Sequence, residues 1–359
     1  VNRREERITA LEAWLVEMPL DEPYEIASQR YDTAHNVLVR LIPDRGPVGF
    51  GCSAPEPAVT GETPEGALAT LQDAIGPSVR GADPLRRLRV LEQALREAPG
   101  QPAALAALDL ALWDLLGKVA DQPVYRLLGG YRDRIQTSVT VGILPAAETV
   151  ERALAWKEQG FRSLKLKGGR DPDEDADRVR RVREAVGERI ELRFDGNQGY
   201  TVEETLRFVE LTRDLGLRVI EQPTREGHEH VVDHVRSLAE AALMADESLK
   251  TLADAFHLAR GRLYDMINVK LMKVGGIEEA VRIAAVARSA GMQVMVGCMD
   301  ECALGIAGGL HFALGRGNVR YADLDGHLGL QGDPTAGCMT LERGTLRPVE
   351  RPGLGVDHL

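Results

Sequence analysis

The chain has 359 residues, 44% hydrophobic and 28% charged, the balance of a soluble globular protein and not of a disordered or fibrous one. A formal net charge of -11 repels phosphate backbones and anionic lipid, which argues against nucleic acid or a membrane surface as a partner. The length exceeds what one compact core usually absorbs, so a large domain and a smaller one are expected.

Residues 1–20 contain no continuous apolar run, so no secretion signal is predicted. Nowhere do eighteen uninterrupted apolar residues occur, so no membrane-spanning helix is expected either. Residues 6–20 and 36–51 alternate and are rich in Val, Leu and Ile, which predicts strands of a small antiparallel sheet. Between them, 19–33 is polar, turn-rich and too long for a hairpin loop, and it reads as a lid or binding loop. From 63 to 95 the pattern becomes helical. The clearest helix is 102–118, where Leu105, Leu108, Leu112, Leu115 and Leu116 fall three or four apart and Gly117 reads as a stop signal.

After residue 133 the texture changes. Short β-branched runs near 136–141, 162–167, 190–195, 218–221, 241–246, 266–270, 292–297 and 319–323 alternate with amphipathic stretches of about a dozen residues. Such alternation implies parallel strands joined by helices, and eight strands imply a closed barrel, with a doubly wound open sheet as the alternative. The Gly- and Pro-rich tail is expected to pack back on the first domain.

Lys167, Asp195, Glu221, Asp246 and Lys270 sit where successive strands should finish, and they recur every 24 to 28 residues. That period is one strand plus one helix, so the arithmetic gathers two lysines and three carboxylates around one barrel mouth. Any single carboxylate there could be a helix cap; five charged residues in phase point to a site. Three carboxylates without His or Cys suit a hard cation, Mg²⁺ or Mn²⁺, and not zinc. Burial and a nearby cation would lower a lysine toward a useful base. Two lysines on opposite sides of a carboxylate substrate could then take a proton from one face of the α-carbon and return one to the other.

Other features carry less. Cys52, Cys298, Cys302 and Cys338 are sparse and irregularly spaced, and they read as unpaired thiols of a reducing cytoplasm. His228, His230 and His234 lie in a polar stretch that reads as an exposed helix or loop. Trp113 and Trp156 fall on amphipathic helices and read as core. No P-loop or dinucleotide fingerprint occurs.

Several motifs resemble the mandelate racemase/muconate lactonizing branch of the enolase superfamily. They are Ala107-Leu-Asp-Leu-Ala-Leu-Trp-Asp-Leu-Leu-Gly-Lys118, Leu127-Leu-Gly-Gly130, Lys165-Leu-Lys167, Asp195-Gly-Asn-Gln198, Glu221-Gln-Pro223, Asp246-Glu-Ser248, Asn268-Val-Lys270 and Lys273-Val-Gly-Gly-Ile277. The resemblance implies a (β/α)7β barrel (a modified TIM barrel) over 121–330, under an α+β capping domain formed by 1–120 with the tail 331–359. It implies Mg²⁺ ligands at Asp195, Glu221 and Asp246, acid/base lysines at Lys167 and Lys270, and a substrate-carboxylate lysine at Lys165.

Tyr321-Ala-Asp-Leu-Asp-Gly326 narrows the resemblance to dipeptide epimerases, in which a matching Asp-x-Asp binds the free α-ammonium; Asp323 and Asp325 take that place. Val59-Thr-Gly-Glu-Thr63 and Met295-Val-Gly-Cys-Met299 resemble the same subgroup. The implied reaction is epimerisation of an L,L-dipeptide at the residue carrying the free carboxylate. An acid dehydratase, an N-acylamino acid racemase and a catalytically silent binding protein are the rival readings. Asp300, after the seventh strand, would favour a cationic side chain. In the 19–33 loop, Asp21, Glu22 and Glu25 stand beside Arg30, and the register fits Gln29 as well as Arg30 to a family arginine. The expected partner is a small-molecule dipeptide, and a homo-oligomer is left open.

Overall fold

The computed structural model describes residues 6–25 and 30–359. Near the N-terminus, strands β1 (Ile8–Glu25), β2 (Arg30–Pro43) and β3 (Gly49–Ser53) form an antiparallel sheet in the order β1-β2-β3. The 36–51 run is therefore two strands, divided where Gly46 turns at φ 83° between Pro43 and Pro47. Residues 19–25 and 30–33 of the 19–33 segment lie in strands and not in a loop. After an irregularity between Pro19 and Tyr24, β1 and β2 pair on to Glu25 opposite Arg30. The sequence of this ribbon is mostly polar and lacks apolar alternation, while its backbone keeps the ladder. Gln29 lies outside the described residues.

The 63–95 stretch breaks into helical turns through Val79 and a separate helix, Arg87–Glu97. Gly81, at φ 78°, and Pro84 divide them. The helix Pro102–Val119 is buried along nearly its whole length. Its alanines let β3 lie directly on its backbone: a Cβ at Gly49 would fall 2.2 Å from the Ala111 carbonyl oxygen, and one at Gly51 would fall 2.1 Å from that of Ala107. Gly117 does not end this helix. It makes room for the tail, since a Cβ there would lie 2.6 Å from Gly353 Cα, and Leu354 N donates to Asp114 Oδ1 at 2.8 Å.

Strand β4 (Ile135–Gln136) joins β13 (Met339–Glu342) and β14 (Thr345–Pro348) in a small sheet. Eight strands make the barrel: β5 (Val139–Val141), β6 (Ser163–Lys167), β7 (Glu191–Asp195), β8 (Leu217–Glu221), β9 (Ala242–Ala245), β10 (Met266–Lys270), β11 (Gln293–Gly297) and β12 (Val319–Ala322). Each pairs in parallel with the next. The ring closes at a parallel bridge between Thr137 and Ala322, where Ser138 N donates to the Ala322 carbonyl at 3.1 Å. The fold is the expected (β/α)7β barrel with separate antiparallel strands beside it, and not an open doubly wound sheet. Val219, Met244, Met266 and Met295 fill the barrel interior, so the mouth has a packed floor. No helix among the described residues is long and apolar enough to cross a membrane.

Candidate active site

The strand ladder puts the charged residues in phase. Lys167 is the register partner of Asp195, and Asp195 that of Glu221. Asp246 follows the last residue of β9, and Lys270 ends β10. Side chains two apart on a strand share a face, so Lys165 and Lys167 both reach the mouth. Asp195, Glu221 and Asp246 are at most 1% exposed, and buried charges of this kind persist only when paired.

The pairing is dense. Lys167 Nζ donates to Asp195 Oδ2 at 2.7 Å and to Asn197 Oδ1 at 2.9 Å. Lys270 Nζ lies 2.8 Å from Asp246 Oδ2, and the buried Lys273 lies 2.5 Å from Asp246 Oδ1. Burial would raise the Asp246 carboxyl, but these two ammoniums hold it well below the usual carboxylate range. Glu221 goes the other way, pushed up to about 8 by burial and by the Asp195 and Asp246 charges. Lys165 and Lys270 feel both burial and their acidic neighbours. Burial does pull them down, but Asp323 acts on Lys165, and Asp246 with Glu221 acts on Lys270, and both groups end above the usual lysine range.

Lys165 stands at the centre. Its Nζ donates to Asp323 Oδ2 and lies 3.6 Å from Asp195 Oδ2 and 3.8 Å from Glu221 Oε2. Asp323 also accepts from Ser138 Oγ at 2.6 Å. Burial opposes its charge, but Lys165 and Ser138 bring it down to about 2. Asp325 accepts from Thr140 N at 2.6 Å and has Cys298 Sγ 3.9 Å away; burial and the Asp323 charge push it up.

A cavity of about 800 Å³ joins these groups, lined by Lys165, Lys167, Lys270, Asp323, Asp325 and Asp300 among others. Its outer wall includes Asp21 and Glu22 of β1, and Glu22 is paired with Arg152 at 2.6 Å. The structure therefore brings all six of these residues to one cavity, with the three buried carboxylates packed against its lysines. Trp113 is buried in the core, and Trp156 is partly buried, packs against the core and also lines the cavity. His228 and His234 are exposed, and the His230 side chain lies outside the described residues. Cys298 and Cys302 do not share a helix, because Cys302 is the N-cap of Ala303–Gly315.

Sequence reasoning missed several participants. Asn268 Nδ2 donates to Glu221 Oε1 at 2.6 Å, a contact foreshadowed by its place two residues before Lys270 on one strand. Gln222, held at φ 31°, accepts from Asp246 N at 2.9 Å and so ties the Glu221 turn to the Asp246 turn. Arg193 supports the floor through Ser138 Oγ at 3.0 Å. Glu247 lines the cavity and is pushed up to about 7 by burial and the Asp246 and Asp195 charges.

Three buried oxygens in this cluster meet no hydrogen-bond donor: Glu221 Oε2, Glu247 Oε2 and Asn268 Oδ1. Unmet buried acceptors beside ionised carboxylates fit a hard cation. Among the described residues, no three His, Cys, Asp or Glu side chains are drawn into a closed cage; the lysine ammoniums stand between the carboxylates.

Comparison with known proteins gives the same picture. Residues 10–129 match the family model of the mandelate racemase / muconate lactonizing enzyme N-terminal domain, and 148–358 match that of the enolase C-terminal domain-like family. An L-Lys-D/L-Arg epimerase of Methylococcus capsulatus is 41% identical over 94% of this chain and 95% of its own. A dipeptide epimerase of Enterococcus faecalis, solved with Mg and L-Leu-L-Tyr, superposes with a TM-score of 0.95 at 34% identity, covering 98% of this chain and 100% of the other. A Methylococcus capsulatus dipeptide epimerase with Mg and L-Arg-D-Lys superposes at 0.93, with 39% identity and coverage of 98% and 100%.

Proposed function

Because the chain belongs to the mandelate racemase/muconate lactonizing enzyme family of the enolase superfamily, we propose that it is a magnesium-dependent isomerase that epimerises L,L-dipeptides at the residue bearing the free carboxylate. The observation that carries this reading is the placement of Lys167 and Lys270 on β6 and β10. Three intervening strands supply Asp195, Glu221 and Asp246, and Asp323 and Asp325 lie across the same cavity.

Asp195, Glu221 and Asp246 would hold the cation, which supplies positive charge to offset the enediolate that forms as the α-proton leaves. Lys165 meets the substrate carboxylate. Lys167 takes the α-proton of the L-configured residue, the C–H electrons pass into the enediolate, and Lys270 delivers a proton to the opposite face. For the D form the two exchange roles. The free thiols at Cys52, Cys298, Cys302 and Cys338 agree with a reducing cytoplasm.

Asp323 and Asp325 would receive the α-ammonium at the other end, and this separates dipeptides from N-acylated amino acids. Acylation removes the positive charge and sets an uncharged group against two buried carboxylates, with no ion pair in return for their desolvation. Incubation of L,L-dipeptide mixtures in ²H₂O should therefore give one deuterium and inversion at the C-terminal residue, read by mass spectrometry. N-acetyl dipeptides and free amino acids should be poor substrates, and Asp323→Asn should lose more with dipeptides than with acylated amino acids. Efficient racemisation of N-acylated amino acids would overturn the dipeptide assignment, and loss of water from the substrate would indicate a dehydratase.

Asp300 is partly buried in the cavity wall, and with Asp21 and Glu22 it makes the outer wall acidic. We expect a preference for Lys- or Arg-containing dipeptides. Asp300→Asn should reduce kcat/KM for these relative to neutral dipeptides by about 1.5 kcal/mol, roughly tenfold. A wild type that prefers acidic dipeptides rules this out.

A further inference from the structure

Next to Lys167 lies a buried polar cluster that the proton transfer does not use. Asp175, Arg178 and Tyr200 are 3, 7 and 2% exposed, and none of them lines the cavity. Asp175 and Arg178 sit one turn apart on helix Pro172–Val186 and are ion-paired. The same guanidinium nitrogen, Nη2, donates to the Lys167 carbonyl at 2.9 Å. Asp175 Oδ2 accepts from Gly169 N at 2.8 Å and also from the Tyr200 hydroxyl.

The backbone around this cluster has no slack. Gly169, at φ 97°, would place a Cβ 2.1 Å from the Gly196 carbonyl oxygen, and a Cβ at Gly199 would fall 2.0 Å from that of Gly169. The turn after Lys167 is thus pressed against the turn 196–199. That second turn carries Asn197, which accepts a hydrogen bond from Lys167 Nζ at 2.9 Å. Tyr200 follows it and packs on Phe208, with ring centroids 5.8 Å apart. A buried ion pair contributes little to stability that an apolar cluster could not; what this one adds is a fixed geometry.

We propose that Arg178, Asp175 and Tyr200 are positioning residues for Lys167. They clamp its carbonyl and the turn behind it against the turn that bears Asn197, and so aim one lysine, and not the other, at its face of the α-carbon. The inference rests on the assignment of Lys167 and Lys270 to opposite faces. Lys270 is held separately, from β10 and through Asp246.

Tyr200→Phe removes only the hydroxyl. Net inversion must slow equally in both directions, since the two rates are tied by one equilibrium constant. The discriminating measurement is therefore α-proton exchange without inversion in ²H₂O, from each epimer separately. Exchange from the L-configured residue should fall about tenfold while exchange from the D-configured residue stays within about twofold. Arg178→Lys, which cannot reach both the Lys167 carbonyl and Asp175, should show the same asymmetry if Tyr200→Phe folds poorly. Phe208→Leu loosens the same aromatic packing without touching these hydrogen bonds, and it should lower Tm while leaving the exchange ratio unchanged. Equal losses from both epimers, or an unchanged ratio in both polar variants, overturn the proposal while wild-type exchange leaves the functional reading standing. Absence of exchange in the wild type overturns both.

Discussion

Lys270→Ala should lose epimerase activity by about 10³-fold, the scale of a missing acid/base group, yet still exchange the α-proton of the L-configured residue with solvent. The geometry separates the two effects. Lys270 is paired with Asp246, but Lys273 remains 2.5 Å from the other Asp246 oxygen, so removal of Lys270 does not strand a bare buried carboxylate. Lys167 stays in place through Asp195 and Asn197 and can still remove and return a proton on its own side. Proton NMR in ²H₂O reports the exchange, and chiral analysis reports the inversion. Lys167→Ala should give the mirror result, with exchange surviving from the D form. If both variants lose exchange from both epimers while Mg²⁺ titration calorimetry shows wild-type binding, the division of labour between the lysines is wrong.

Chelation should abolish turnover, with Mg²⁺ restoring it, and Glu221→Gln should weaken Mg²⁺ binding by at least about a hundredfold. Altering an outer partner of a ligand typically costs up to that much, and Glu221 is assigned to the ligand set itself. Glutamine can keep the hydrogen bond with Asn268 that Glu221 now makes at 2.6 Å. It also matches the uncharged form toward which burial and its acidic neighbours already push Glu221. The metal-free variant should therefore melt no lower than the metal-free wild type, which separates lost binding from lost folding. Full activity in chelator-treated protein with no detectable metal would remove the cation from the mechanism.

The barrel was legible in the sequence because most of its strands are buried on both faces and read as short apolar runs, and because one strand plus one helix has a nearly constant length. The same regularity exposed Lys167, Asp195, Glu221, Asp246 and Lys270, whose charges interrupt the apolar runs in phase. What supports them was hidden. Ser138 donates to Asp323 and Arg193 in turn donates to Ser138, from β5 and β7 neighbourhoods far apart in sequence, and no local spacing records such a contact. The β1–β2 ribbon was missed for another reason: residues 19–33 are mostly polar, so the paired backbone there carries no hydrophobic period to detect. Gly117 misled because a glycine that admits a neighbouring chain looks the same in sequence as one that ends a helix.

Lys165 touches three carboxylates, Asp323 on one side and Asp195 and Glu221 on the other, which under the proposed roles would serve two different ends of a substrate. An α-ammonium arriving at Asp323 would compete with Lys165 for that carboxylate and would turn the lysine's charge toward the far end, where the substrate carboxylate would sit. Recognition of the two termini would then be a single linked event, with each terminus expected to bind more tightly when the other is present. A ligand with one terminus alone would meet a lysine still engaged elsewhere, so the site would measure the length of its substrate through an exchange of partners at one amine.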